Sequence, residues 1–184
     1  VIATLRPQLH PDIKIAVILG NDKADFSYQP IRRDIHQSYE WTILHDDNAE
    51  FTLTDMDGVL CEDWTGGSET NDIAAYERFL EAVKPRRIPS YPLLAIVTNR
   101  MECYRKKTEI WLDRHGIKYR DLVMSPHPTF QARDSAGDAA TRKAAQYEEY
   151  SEARLFIESC GRQAREIKRL TGRPVLSIED SCLV

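Results

Sequence analysis

Glycine is scarce in this 184-residue chain, with eight residues, and cysteine is scarcer, with Cys61, Cys103, Cys160 and Cys182 alone. No two cysteines form a C-x-x-C pair, which argues against a zinc site of that spacing. A basic segment followed by an apolar one is missing from the start, so no secretion signal is read there. The four thiols are therefore expected to be reduced, in a cytoplasmic protein. Long apolar runs are also missing. The longest, residues 13–19, contains Lys14 and falls far short of the ~18 residues of a membrane span. There is no excess of positive charge. The net charge of -4 argues against a large nucleic-acid surface. No internal repeat and no low-complexity tract occurs. The chain opens on Val1 rather than Met, which reads as a fragment or a trimmed product.

What the chain does have is 42% hydrophobic residues, enough for a core and too many for a disordered polymer. Residues 1–9 read as a helix end broken by Pro11, and 13–19 as a strand closed by Gly20-Asn21-Asp22. Residues 23–38 read as loop, 39–44 as a strand or extended arm, and 45–48 as a turn. From residue 49 the pattern alternates strictly. A strand at 51–54 leads into a polar loop at 61–70. A helix capped by Asn71 or Asp72 runs to about Val83, with Pro85 beyond it. Next come a strand at 93–97, a helix at 101–115 stopped by Gly116, and a short strand at 121–124. A Pro-bearing loop covers 125–137 and a helix 138–149. Then follow a strand at 155–157, a helix at 161–170 and a last strand at 174–178. This alternation predicts an α/β fold, a three-layer Rossmann-like parallel sheet covered on both faces. The domain organisation expected is a segment over 1–45 and a domain over 46–184.

The chain is organised around Asp55-Met56-Asp57-Gly58-Val59-Leu60, at the end of the first strand of that domain. In open parallel sheets ligands bind outside the carboxyl ends of the strands. Two carboxylates one residue apart repel, so they remain ionised together only beside a cation or when one is protonated. Gly58 gives the backbone the freedom to turn after them. Thr98, followed by Asn99 and Arg100, ends the next strand. Its hydroxyl reads either as a phosphate contact or as a helix cap. Lys143 reads either as a solvated lysine on an amphipathic helix or as a fixed ammonium opposite a carboxylate or phosphate. Arg142, Lys118 and Arg114 compete for that role. Glu158, followed by Ser159, ends the strand at 155–157 and reads as a turn cap or as a metal ligand of the hard-oxygen kind that suits Mg²⁺. Glu179-Asp180 is a rival acidic pair.

Taken together, Asp55-Met56-Asp57-Gly58-Val59-Leu60, Ile96-Val97-Thr98-Asn99-Arg100, Lys143 and Phe156-Ile157-Glu158-Ser159 resemble the four motifs of the haloacid dehalogenase superfamily, in order and over about three quarters of the chain. The resemblance implies a Mg²⁺-dependent phosphomonoester hydrolase working through an aspartyl-phosphate. Asp55 would be the nucleophile, and Asp57 the acid and then the base. Thr98 and Lys143 would hold the transferring group, with Gly58, Asn99 and Arg100 binding substrate. Asp55, Asp57 through its carbonyl, and Glu158 would hold Mg²⁺. The family usually shows a second acid where this chain has Ser159. The intervals between motifs are filled by core elements, so the cap domain of many relatives is expected to be minimal or absent. The stretch from Thr98 to Tyr119 resembles the phosphatase domain of polynucleotide kinase and related small nucleotidases. Residues 1–45 resemble the tail of a type I phosphoribosyltransferase, without that family's acidic pyrophosphate loop.

The function expected is hydrolysis of a small phosphorylated metabolite, a nucleotide or sugar phosphate. The alternative is a weakly active or inactive domain that binds phosphate or supports a fused or partner phosphoribosyltransferase. Action on a nucleic-acid 3′ end ranks third because of the acidic net charge. A membrane partner is not expected.

Overall fold

A computed structural model of the chain describes the backbone of residues 16–20 and 26–30 and, with side chains, residues 44, 45 and 47–184. The chain divides into two compact units, Val1–Gln37 and Ser38–Val184. In the first, strand β1 (Ala16–Gly20) pairs in parallel with β2 (Phe26–Pro30), Ala16 opposite Phe26. A loop was expected over 23–38, so β2 corrects that reading. Gly20, expected in a turn, continues β1. The expectations for residues 1–9, 13–15 and 39–43 lie outside the described residues. Leu44 is buried in the core of the second unit.

The second unit is a six-stranded sheet flanked by helices. Its strands are β3 (Thr52–Thr54), β4 (Leu93–Met101), β5 (Tyr119–Ser125), β6 (Leu155–Glu158), β7 (Val175–Ser177) and β8 (Cys182–Leu183), in the order β5-β4-β3-β6-β7-β8. All neighbours pair in parallel except β7 and β8, which are antiparallel. The expected parallel sheet thus gains an antiparallel edge strand that the sequence pattern did not reveal. The helices are α1 (Ile73–Ala82), α2 (Arg105–Arg114), α3 (Phe130–Ala136), α4 (Ala139–Glu149) and α5 (Gly161–Thr171).

The apolar runs follow the pleat. On β6, Phe156 points to one layer, with Ala144 and Tyr147 of α4 and Ala164 and Ile167 of α5. Leu155 and Ile157 point to the other, with Trp111 and Leu112 of α2. Alternate side chains of a strand face opposite sides, so a continuous apolar run feeds both layers. Burying each such large side chain contributes about 1.5–3 kcal/mol. A third cluster, Tyr76, Leu80, Met101, Tyr104 and Phe130, joins α1 to α3. The Asp72 side chain caps α1 by accepting from the Ala75 N–H at 2.8 Å.

Two readings are corrected here. The helix expected at 101–115 begins only at Arg105, because β4 runs on through Thr98, Asn99 and Arg100 to Met101 and a 3₁₀ turn covers Glu102–Tyr104. The loop expected over 125–137 contains α3, whose N-terminus is capped by the Thr129 hydroxyl, accepting from Ala132 N–H at 3.1 Å. Among the described residues no helix is long and apolar enough to cross a membrane.

Candidate active site

Sheet register brings the first acids together. Thr54 at the end of β3 is paired with Ile96 of β4 on one side and Ile157 of β6 on the other. The Asp55 N–H continues that ladder by donating to the Ile157 carbonyl at 2.8 Å. Asp55 and Glu158 therefore leave neighbouring strands side by side, about 4.8 Å apart in backbone spacing. β3 is also where the chain order reverses, with β4 and β5 to one side and β6 and β7 to the other. Open α/β sheets place ligands at such a switch point.

Lys143 reaches this pair from α4. Its Nζ donates to Asp55 Oδ2 and to Glu158 Oε2, each at 2.7 Å. It is only 1% exposed, so it is not a solvated lysine. Burial disfavours its ammonium, but the two carboxylates outweigh that and hold its pKa above the usual lysine value. Burial pushes the Asp55 carboxyl above the ordinary carboxylate range. Lys143 opposes that shift and the charge of Glu158 adds to it. The remaining oxygens are satisfied locally. Met56 N–H donates to Asp55 Oδ1 at 2.7 Å, and Cys160 N–H donates to Glu158 Oε1 at 3.1 Å.

Asp57 has a different partner. Arg100 grips it with two bonds, Nε to Oδ2 at 2.8 Å and Nη2 to Oδ1 at 2.5 Å. The Cys61 thiol donates to Oδ1 at 3.3 Å. Burial and the nearby Asp57 charge both push that thiol up, so it stays protonated. Arg100 is fully buried, which explains why β4 tolerates it: the strand carries a guanidinium whose carboxylate partner comes from the loop beyond β3. Its Nη1 is buried with no hydrogen-bond partner among the described residues.

The cleft between these groups has a volume of about 190 Å³. Asp55, Asp57, Thr98, Asn99, Arg100 and Lys143 all line it. Thr98 lies within β4, so its hydroxyl caps no helix; it accepts from the Arg100 N–H at 3.2 Å. Asn99 is held through Oδ1 by Arg142 at 2.6 Å. Gly58, with φ +77°, makes the turn after Asp57 and lines a neighbouring cavity of about 550 Å³ rather than the cleft itself. Ser159 borders both, its hydroxyl 3.4 Å from Asp55 Oδ2 and from Glu158 Oε1. The competitors have other work. Arg114 donates to the Glu81 carbonyl. Glu179 accepts from Gly161 N–H at the start of α5, and Asp180 binds Arg165 and Ser177.

Sequence reasoning missed further residues that line the cleft, among them Asp63, Arg133, Trp64 and Tyr76. Arg133 was hidden because α3 falls in a Pro-bearing stretch. It pairs with Glu69 and stacks over Phe130. Asp63 lies in the polar loop after the first motif. Burial and then Asp57 raise its pKa. An Asp eight residues beyond the first carboxylate of the motif was the only signal available.

The donors brought together at the strand ends are the hard oxygens of the Asp55 and Glu158 carboxylates. Among the described residues no three His, Cys, Asp or Glu side chains group to hold a metal ion. Two carboxylates are the oxygens brought together here, and an ion that keeps several waters, such as Mg²⁺, takes few protein ligands. The cleft lining carries four acids, Asp55, Asp57, Asp63 and Glu69, against three bases, Lys143, Arg100 and Arg133. Comparison with protein-family models, with curated proteins and with solved structures gives no match.

Proposed function

We propose that this chain is a phosphomonoester hydrolase of the haloacid dehalogenase type, acting on a small phosphorylated metabolite through an aspartyl-phosphate. The observation that carries the reading is the Lys143 ammonium at 2.7 Å from both Asp55 and Glu158. It supports the reading by bringing a carboxylate of β3, an ammonium of α4 and a carboxylate of β6 within hydrogen-bond reach of one another. Asp55 attacks phosphorus as the bond from phosphorus to the ester oxygen breaks. Asp57 gives its proton to that leaving oxygen. In the second half Asp57 takes a proton from water, the water oxygen bonds to phosphorus, and the Asp55–phosphorus bond breaks. Asp57 must loosen its grip on Arg100 to take up the proton it gives, and a phosphate arriving in the cleft is a competing anion for that guanidinium. Thr98 and Asn99 offer hydrogen bonds to the phosphoryl oxygens, and Lys143 offsets charge as it moves on to them. Asp55, Glu158 and the Asp57 carbonyl would hold Mg²⁺, which would supply the remaining positive charge.

No large cap is inserted between the motifs: 58–92 is taken up by the loop and α1, and 102–142 by α2, β5, α3 and the start of α4. The cleft is bordered instead by Trp64 and Tyr76, which supports a small-molecule substrate entering from solvent. The test is a screen of phosphorylated metabolites for phosphate release with and without Mg²⁺. Mg²⁺-dependent release by the native chain, absent in Asp55→Asn, supports the reading. Release that Asp55→Asn retains would overturn Asp55 as the nucleophile, and none from any ester would leave a phosphate-binding domain without turnover.

A further inference from the structure

We propose that Tyr76 selects the substrate by donating a hydrogen bond from its hydroxyl to an uncharged oxygen on the alcohol part of the ester. This rests on the hydrolase reading of the cleft and extends it to the leaving group. Tyr76, on α1, is only 3% exposed. Four rings fix it: Trp64 at 5.5 Å, Phe130 at 5.5 Å and Tyr104 at 5.6 Å meet it edge to face, and Phe79 stacks at 6.0 Å. A phenol packed this way usually finds a partner for its hydroxyl. This one is bonded to no described residue. It is not enclosed either: the described side-chain atoms buried without a partner belong to other residues. The hydroxyl opens on the cleft that Tyr76 lines.

Its neighbours decide which part of a substrate it meets. The charges that act on the phenol are those of Asp57, Arg100, Glu69 and Arg133, all on the cleft wall. Asp57 is the group that hands a proton to the leaving oxygen. A hydroxyl on that side faces the alcohol rather than the phosphoryl group held by Thr98, Asn99 and Lys143. Burial and the Asp57 charge push the phenol above its usual pKa, with Arg100 opposing, so it stays protonated and remains a donor. Arg133 adds a second donor. It is 8% exposed, binds Glu69 at 3.1 Å and Asp134 at 2.8 Å, and lies over Phe130, the ring that also packs on Tyr76. Its Nη1 donates to no described residue. Two carboxylates already balance that guanidinium, so the two donors suit a hydroxyl or carbonyl oxygen better than a second anion.

The test is steady-state kinetics of the native chain and Tyr76→Phe on a pentose phosphate, a pyrimidine nucleoside monophosphate and phenyl phosphate. The first offers sugar hydroxyls, the second adds base carbonyls, and the alcohol of the third carries no further oxygen. Tyr76→Phe is expected to lower kcat/KM on the pentose phosphate or the nucleotide, relative to phenyl phosphate, about threefold to tenfold. Its melting temperature is expected not to fall, because the hydroxyl holds nothing within the fold. Loss on the pentose phosphate places the acceptor on the sugar, and loss on the nucleotide alone places it on the base. An unchanged ratio for both, or native turnover of phenyl phosphate alone, overturns the proposal while leaving the hydrolase reading standing. A lower melting temperature also overturns it, since the hydroxyl would then serve the fold. Native protein that releases phosphate from no ester overturns the hydrolase reading and this inference together.

Discussion

Asp55 and Asp57 are the same side chain one residue apart, yet they sit in opposite surroundings. Asp55 is buried in the sheet-end pocket, and its cation is an ammonium shared with Glu158. Asp57 stands at the mouth, its side chain 22% exposed, and its cation is a guanidinium that binds it with two parallel bonds. The difference comes from the backbone. Asp55 still belongs to the β3 ladder, whereas Asp57 lies past it, where Gly58 turns the chain. A desolvated carboxylate beside a fixed ammonium suits a nucleophile. One within reach of solvent suits proton transfer to a leaving group and from water.

The comparison breaks most sharply if the two positions are exchanged in importance. Asp55→Asn is expected to lower phosphate release at least about 10⁴-fold, whereas Asp57→Asn loses the smaller factor of about 10²–10⁴ typical of acid–base catalysis; steady-state kinetics on one substrate distinguish them. Lys143→Ala leaves two buried carboxylates facing each other without their cation. It is expected to destabilise the unit by about 3–5 kcal/mol, read by urea unfolding. The metal-free protein should also respond to pH through Asp55. Its carboxyl binds a proton more tightly folded than unfolded, so its contribution is full below the ordinary Asp value and is lost as pH rises through the raised one. Mg²⁺ affinity is expected to rise over that window, by at most about tenfold per pH unit, since the ion needs the carboxylate. Calorimetry at several pH values checks it. The smallest effect belongs to Thr129, which does not line the cleft. Thr129→Ala removes the cap of α3 and should cost about 1 kcal/mol with no change in Mg²⁺ affinity.

Much of this contrast was readable in the sequence, and some was not. The strands at 93–97 and 155–157 announce themselves as short apolar runs; Glu158 ends its strand as expected, whereas Thr98 lies inside β4, which runs on to Met101. Lys143 was visible only as one of several cations near the right place. Its depth became evident once Ala144 and Tyr147 on the same helix face were seen packing against β6. Arg100 was expected to bind substrate at a helix start. Its position inside β4 depends on a bidentate partner 43 residues earlier, a long-range pairing that local pattern does not encode. The helix bearing Arg133 was masked by Pro126 and Pro128, which precede it without interrupting it. The edge strand β8 is two residues long and exposed, too short to carry a period.

The most direct test of the central claim is chemical quenching of a single turnover, followed by mass spectrometry of the peptide that contains Asp55. A phosphoryl group on Asp55 that forms and decays at rates consistent with phosphate release is the predicted result, with decay slowed in Asp57→Asn. Phosphate released at the full rate with no adduct on Asp55 at any time would contradict it.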